Sequence, residues 1–236
     1  MCRVCLIIPA YNEKENIKNI VSRITCEFPQ YDYVIINDGS TDNTEAICHE
    51  NGFNYLSLPV NLGIGGAVQC GYLYARNNDY DIAVQLDGDG QHDVSDVETI
   101  IEPLIDNEAD MVIGSRFITK EGFQSSGLRR FGSLLIRWII RLCCGAKITD
   151  PTSGFRATNR LCISLFAREY ANDYPEPEAI VSAILNGFKV IEKPVKMYHR
   201  GGGESSISSL RALYYMLKVP LALIIYRLSI RKGRKE

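Results

Sequence analysis

Residues 82–91, Ile82-Ala83-Val84-Gln85-Leu86-Asp87-Gly88-Asp89-Gly90-Gln91, deliver two carboxylates, one residue apart, from an apolar run into a glycine-flanked turn. The run from Ile82 to Leu86 reads as a buried strand, and unpaired charge is too costly inside a sheet. Asp87 and Asp89 are therefore expected just past its carboxyl end, where open α/β sheets form their ligand crevice. Gly88 and Gly90 allow backbone to approach a ligand closely. A hard divalent cation takes a few carboxylate oxygens together with phosphate oxygens and water, so the stretch has the composition of a metal-diphosphate site.

Outward from this strand, apolar runs alternate with helical patterns. Strands are expected over 4–8, 33–36, 55–58 and 111–113, and helices over 15–27, 42–50, 66–76 and 94–105. That alternation predicts a mostly parallel sheet with helices on both faces, an α/β class. A nicotinamide-type fingerprint is missing: Gly63-Ile64-Gly65-Gly66-Ala67-Val68 places Val68 where the last glycine belongs.

The chain has 236 residues, 46% of them hydrophobic, which suits one substantial core with an appendage. Net charge is only -2, but residues 1–120 hold 7 Lys and Arg against 19 Asp and Glu, while residues 121–236 hold 19 against 9. The acidic half, at -12, suits cation binding, and the basic half, at +10, suits phosphates or an anionic membrane surface. Nucleic acid is not expected as a partner, because the basic half is strongly apolar. The eight cysteines are scattered and no second pair completes a zinc site with Cys2 and Cys5, so a reduced, intracellular location is expected.

Residues 128–142 predict a helix that is apolar nearly all round yet carries Arg129, Arg130, Arg137 and Arg141. A second such segment, Leu210 to Leu228, leads into Arg231-Lys232-Gly233-Arg234-Lys235. Neither contains the ~20 uninterrupted apolar residues that a bilayer span demands. Both fit helices lying in a membrane interface with arginines at headgroup level. The expected organisation is a domain over 1–205, with an interface helix over 128–143 inside it, and an amphipathic helix with a basic tail over 206–236.

Four further motifs fall at or near the expected carboxyl ends of strands: Pro9-Ala10-Tyr11-Asn12-Glu13, Asn37-Asp38-Gly39-Ser40-Thr41-Asp42, Asn61-Leu62-Gly63-Ile64-Gly65-Gly66 and Gly114-Ser115-Arg116-Phe117. With the Asp-Gly-Asp turn, they closely resemble family 2 glycosyltransferases, in the branch of dolichol-phosphate mannose synthase and bacterial polyprenyl-phosphate sugar transferases. The resemblance covers roughly residues 4–200 and implies the GT-A fold.

It further implies a nucleotide-sugar site made by Pro9, Tyr11, Glu13, Asp38, Gly65, Asp87 and Arg200. Asn37 departs from relatives that carry a second Asp there. Glu13 and Asp42 also suit the first turns of helices, where anions are favoured. Asp87, Asp89 and Gln91 match the metal site, for Mg2+ or Mn2+. Arg116, Arg129 and Ser133 match positions that grip the acceptor's lipid phosphate, a role a guanidinium fork suits. The Asp150 to Arg156 segment resembles the lining of the acceptor cavity, and Arg200 with Ser205-Ser206 resembles a lid to which Gly201-Gly202-Gly203 gives mobility.

Asp89, Arg116 and Glu178 are the catalytic candidates. Glu176-Pro177-Glu178 falls where many family 2 enzymes hold a base. A phosphate oxygen is already anionic near neutral pH and needs none, so Glu178 is expected to orient the sugar or hold Arg200. The implied reaction is inverting, metal-dependent transfer of a sugar from a nucleotide-sugar to a polyprenyl phosphate, at the cytoplasmic face of the membrane. The donor preference is UDP-glucose, with GDP-mannose or UDP-N-acetylglucosamine as alternatives. A small integral membrane partner is implied as well. The rival readings are a polysaccharide or protein acceptor, and a non-catalytic nucleotide-binding subunit.

Overall fold

A computed structural model describes residues 2–88, 92–118, 127–196 and 218–229, leaving the side chains of 127–131 outside the description. Side-chain alternation along β1 (Val4–Ala10) sorts the interior into two layers. Cys5 and Ile7 join one apolar cluster, and Leu6 and Ile8 join the other. Among the described residues, the sheet has seven strands in the order β3-β2-β1-β4-β6-β5-β7. Parallel pairing links β1 to β2 (Asp32–Asn37) and β4 (Ile82–Gln85), β2 to β3 (Tyr55–Ser57), and β5 (Met111–Ser115) to β7 (Val190–Pro194). By contrast, β6 (Arg156–Asn159) runs antiparallel to its neighbours, β4 and β5.

On one face pack α1 (Ile17–Glu27), α2 (Thr44–Glu50) and α4 (Val97–Ile105), the last entered through a 3-10 turn at Val94–Asp96. On the other pack α3 (Gly63–Asn77), α5 (Gly127–Cys144), α6 (Arg160–Arg168), α7 (Pro175–Leu185) and α8, over residues 218–229. Every element expected between residues 4 and 113 is present, with ends displaced by no more than three residues. The parallel α/β architecture is thus as expected, and the reversed β6 is an addition. Its Arg-Ala-Thr-Asn sequence carries no apolar run or clean alternation for periodicity to detect.

The two amphipathic segments behave alike. On α5, Ile136, Ile139, Ile140 and Cys143 enter the core, while Leu134, Trp138 and Leu142 are 58%, 63% and 66% exposed. On α8, Val219 and Leu223 are buried, and Leu221, Ile224, Ile225 and Leu228 are exposed. Ser182 and Tyr226 share a hydroxyl hydrogen bond of 2.8 Å, and Lys218 pairs with Asp173, so α8 is fastened to α7 and the segment before it. Residues 197–217 and the basic tail from 230 onward lie outside the described residues. Among the described residues, no helix is long and apolar enough to cross a membrane.

Candidate active site

Parallel pairing sets the carboxyl ends of β2, β1 and β4 side by side, and polar side chains bind the loops that follow into one rim. Asn12, held at φ 58°, accepts from the Thr41 amide at 2.8 Å and the Asp42 amide at 3.3 Å, while its own N–H donates to Ser40 Oγ. Asparagine tolerates this left-handed backbone and is suited to such a post. The Glu13 amide donates to Thr44 Oγ1 at 2.9 Å, and Asp42 Oδ1 accepts from the Thr44 amide. Burial alone pushes the Asp42 carboxyl up, but donors from Thr44 and Lys14 outweigh it and hold the group below the usual aspartate range.

Of the residues expected to meet the nucleotide, Pro9 is buried in β1, Tyr11 is half exposed, and Glu13 is buried with Oε2 accepting from Asn16 Nδ2. Asp38 is buried and accepts from the Leu62 amide at 2.7 Å, fixing the third loop against the second. Desolvation raises its carboxyl above the usual range, against the pull of the Leu62 and Gly63 amides. Asn37 donates to Ser57 Oγ and accepts from the Ser40 amide, so its amide joins β2, β3 and the second loop.

Gly65 was expected at the donor, but its N–H donates to Asn172 O at 3.1 Å, and a Cβ there would stand 1.9 Å from Ala171 O. The 171–172 backbone covers it, and glycine at this position permits that close approach. Its amide is therefore taken by protein rather than offered to a phosphate.

Asp87 stands just past β4. Gln85 Nε2 donates to its Oδ1 at 3.3 Å, and its amide donates to His92 Nδ1 at 3.4 Å. The buried His92 ring stacks on Phe155 with centroids 5.0 Å apart. Across the crevice, Gly154 leaves room for the Asp87 carboxylate. Arg156 is fully buried and donates to Ser153 O and Glu176 O, stitching the turn before β6 to the start of α7. Burial raises the Glu176 carboxyl, Arg156 opposes the rise, Asp87 adds to it and Arg116 opposes it.

With its side chain 33% exposed and one side-chain donor at 3.3 Å, Asp87 keeps carboxylate lone pairs for a hard cation. The residues therefore fit one corner of an Mg2+ or Mn2+ site. The other two expected ligands, Asp89 and Gln91, lie outside the described residues. Among the described residues, no group of three or more His, Cys, Asp or Glu could hold a metal by itself.

On the acceptor side, Arg116 was expected to present its fork to a phosphate. Instead Nε and Nη2 close on Asp150 at 2.6 and 2.7 Å, and Nη2 also donates to Thr152 Oγ1. Burial would lower this guanidinium, yet the Asp150 carboxylate raises it above the usual arginine value, with Asp87 and Glu176 adding to the effect. Asp150 is placed in turn by Glu192, which accepts from its amide and from the amide and hydroxyl of Thr149. Ser133 is buried on α5, facing inward. The Arg129 side chain, and Arg200 with the glycines and serines after it, fall outside the described residues.

Glu178 lines a groove with Tyr170, Ser182 and Tyr226, in the electrostatic neighbourhood of Lys218 and Asp173, whereas Glu176 shares the electrostatic field of Asp87, Arg116 and Arg156. Two residues along a helix turn a side chain by about 200°, so only one of the pair can face the crevice. Asp150, Gly154, Arg156 and Glu192 gain specific posts only in the structure, although the Asp-Pro-Thr-Ser-Gly-Phe-Arg run marks most of the region.

Among the described residues, a seven-stranded, mostly parallel sheet with one reversed strand and a carboxylate rim at its carboxyl end is a GT-A-like arrangement. The chain belongs to glycosyl transferase family 2, whose model matches residues 5–163. It is 30% identical to the UDP-N-acetylglucosamine–dolichyl-phosphate N-acetylglucosaminyltransferase of Methanococcus voltae, over 94% of this chain and 98% of that protein. It is also 30% identical to polyprenol monophosphomannose synthase of Mycolicibacterium smegmatis, over 92% and 85%. The crystal structure of Mycobacterium tuberculosis glucosyl-3-phosphoglycerate synthase with Mn2+, UDP and phosphoglyceric acid shares the fold, with a TM-score of 0.71 at 22% identity, over 96% of this chain and 78% of that one.

Proposed function

We propose that this glycosyltransferase moves a sugar from a nucleotide-sugar to a polyprenyl phosphate at a membrane surface. The observation that carries the reading is the placement of Arg116, which is locked on Asp150 just past β5 and shares the Phe117 ring with Arg137 of α5. Asp87 follows β4 and Arg116 follows β5, with β6 between them. Two strand spacings are about 9–10 Å, a separation that leaves room for a sugar between a diphosphate and an attacking phosphate. Relatives of both names, aligned over nearly the whole chain, support the acceptor class.

The reaction follows from these posts. The first three loops hold the nucleoside, with Asp38 at the base and Glu13 and Tyr11 beside it. A bound Mg2+ or Mn2+, held by Asp87 with Asp89 and Gln91, would supply charge neutralisation of the leaving diphosphate. The acceptor phosphate oxygen attacks the anomeric carbon in line, the bond from that carbon to the diphosphate oxygen breaks, and configuration inverts. No proton has to be removed from the attacking group, so alignment and electrostatics carry the rate. Arg116, held rigid by Asp150, positions the acceptor together with Arg129 and Ser133.

The exposed apolar stripes of α5 and α8, with Arg141 and Arg227 beside them, suit docking on an anionic bilayer. The acceptor's own membrane residence makes that docking useful. For the donor, UDP-glucose is the first reading, and UDP-N-acetylglucosamine and GDP-mannose are its alternatives. The test is a radiolabelled panel of these donors with purified protein, Mg2+ or Mn2+, and undecaprenyl or dolichyl phosphate. Label should enter an organic-soluble product that mild acid releases, as a glycosyl phosphate does. Label reaching only polysaccharide or protein would overturn the reading.

A further inference from the structure

The geometry points to Arg137 as a further phosphate-binding residue of the acceptor site, acting with Ser133 one helical turn before it. This assignment rests on the reading of the acceptor as a lipid phosphate. Residues four apart on a helix share a face, so Ser133 and Arg137 stand together on α5. Five side-chain polar atoms among the described residues are buried without a hydrogen-bond partner, and Ser133 Oγ and Arg137 Nε are two of them. Desolvating a hydroxyl and a guanidinium N–H at adjacent points is unfavourable unless something completes them. A ligand with several acceptor oxygens does so.

Charge identifies that ligand as an anion. The guanidinium carbons of Arg116 and Arg137 lie 5.4 and 4.8 Å from the centroid of the Phe117 ring, so two cations gather on one aromatic side chain. Neighbouring carboxylates do not supply what Arg137 Nε lacks. Asp150 accepts from Arg116 and Thr152, and Glu192 from Thr149 and the Asp150 amide. Arg116 has closed its Nε and Nη2 edge on Asp150, whereas Arg137 Nε and Ser133 Oγ are buried without a partner. A phosphate monoester, with more than one negative oxygen, matches a guanidinium edge and a hydroxyl one turn apart. The Arg129-x-x-x-Ser133 spacing then continues one step further, to Arg137.

Trp138 is the only tryptophan of the chain and adjoins Arg137, so its fluorescence reports binding at this helix. Full-length protein is titrated with farnesyl phosphate, farnesol, inorganic phosphate and phosphatidylglycerol vesicles, as wild type, Arg137→Gln, Arg137→Lys and Ser133→Ala. The expected result is a farnesyl phosphate Kd raised roughly 10- to 100-fold in Arg137→Gln and roughly threefold to tenfold in Ser133→Ala, the range for losing a charge-assisted or a neutral hydrogen bond. Arg137→Lys should recover part of the loss and also serves if the glutamine variant does not fold. Farnesol, vesicle and UDP affinities should stay as in wild type.

An unchanged farnesyl phosphate Kd in Arg137→Gln overturns the assignment alone, and so does an equal loss for farnesol, which would make Arg137 a packing residue. Loss confined to vesicles makes it a headgroup contact and overturns it too. If wild type neither binds farnesyl phosphate nor transfers to any polyprenyl phosphate, the functional reading fails and this assignment with it.

Discussion

Gly154 and Asp87 face each other so closely that a Cβ at 154 would stand 2.7 and 2.8 Å from the two carboxylate oxygens. The loop before β6 thus forms a wall against the carboxylate proposed to hold the metal, and that wall admits hydrogen only.

Gly154→Ala should therefore push Asp87 out of position. The backbone at 154 lies outside the left-handed region, so the effect comes from contact rather than from dihedral strain. Transfer is expected to fall by roughly 100-fold, the cost of an ångström-scale displacement in a positioned site. A raised Mn2+ requirement with a near-normal melting temperature would accompany it. Unaltered transfer would detach Asp87 from the chemistry.

Glu178→Gln should leave transfer within about threefold of wild type, because Glu178 lines the groove of Tyr170, Ser182 and Tyr226, with Lys218 and Asp173 in its electrostatic neighbourhood. Steady-state kinetics at saturating donor measure this. A loss of two or more orders of magnitude would instead favour a base-dependent acceptor such as a polysaccharide hydroxyl.

Asp150→Asn removes one half of a buried ion pair and leaves the Arg116 guanidinium without its counter-charge. Breaking such pairs costs about 3–5 kcal/mol, so the urea midpoint should drop substantially. Arg116 would also lose its anchor, and acceptor KM should rise along with the loss of stability. A variant as stable as wild type would show that the pair contributes little.

Asp42 supplies a pH dependence. Its folded carboxyl is held below the usual aspartate range by Thr44 and Lys14, so it stabilises the fold above the unfolded value. That contribution fades as pH falls through the depressed folded value. Wild type should therefore exceed Asp42→Asn in melting temperature at pH 7, and the two should converge in strong acid. A difference that persists unchanged into strong acid would assign the effect to something other than charge.

Trp138→Ser combined with Leu142→Ser should reduce sedimentation with anionic liposomes by roughly tenfold while sparing the melting temperature, since both side chains are largely exposed. Undiminished liposome binding would move the membrane surface elsewhere on the protein.

The positions where strands end and ligand loops begin were legible because burial leaves a two-residue period, and charge placed just past an apolar run belongs at a rim where solvent or a ligand meets it. Asp38, Asp87 and Glu13 follow strand ends that were placed in this way, and their proposed roles come from the family resemblance. The post of the Gly65 amide was not legible, because a glycine-rich turn reads the same whether its amides face a phosphate or, as here, the Asn172 carbonyl. Glu176 and Glu178 show the same limit: their order in the chain says nothing about which one a helix turns inward.

The parallel α/β frame, the acidic rim and the amphipathic character of 128–142 could be read from residue order, since each follows from local periodicity and charge. Folding in three dimensions set the rest: β6 runs backwards between β4 and β5, the Nε and Nη2 edge of Arg116 closes on Asp150, and Gly154 fits against Asp87. These are contacts between segments more than thirty residues apart in the chain. They depend on distance and direction in space, for which the order of residues carries no local signal.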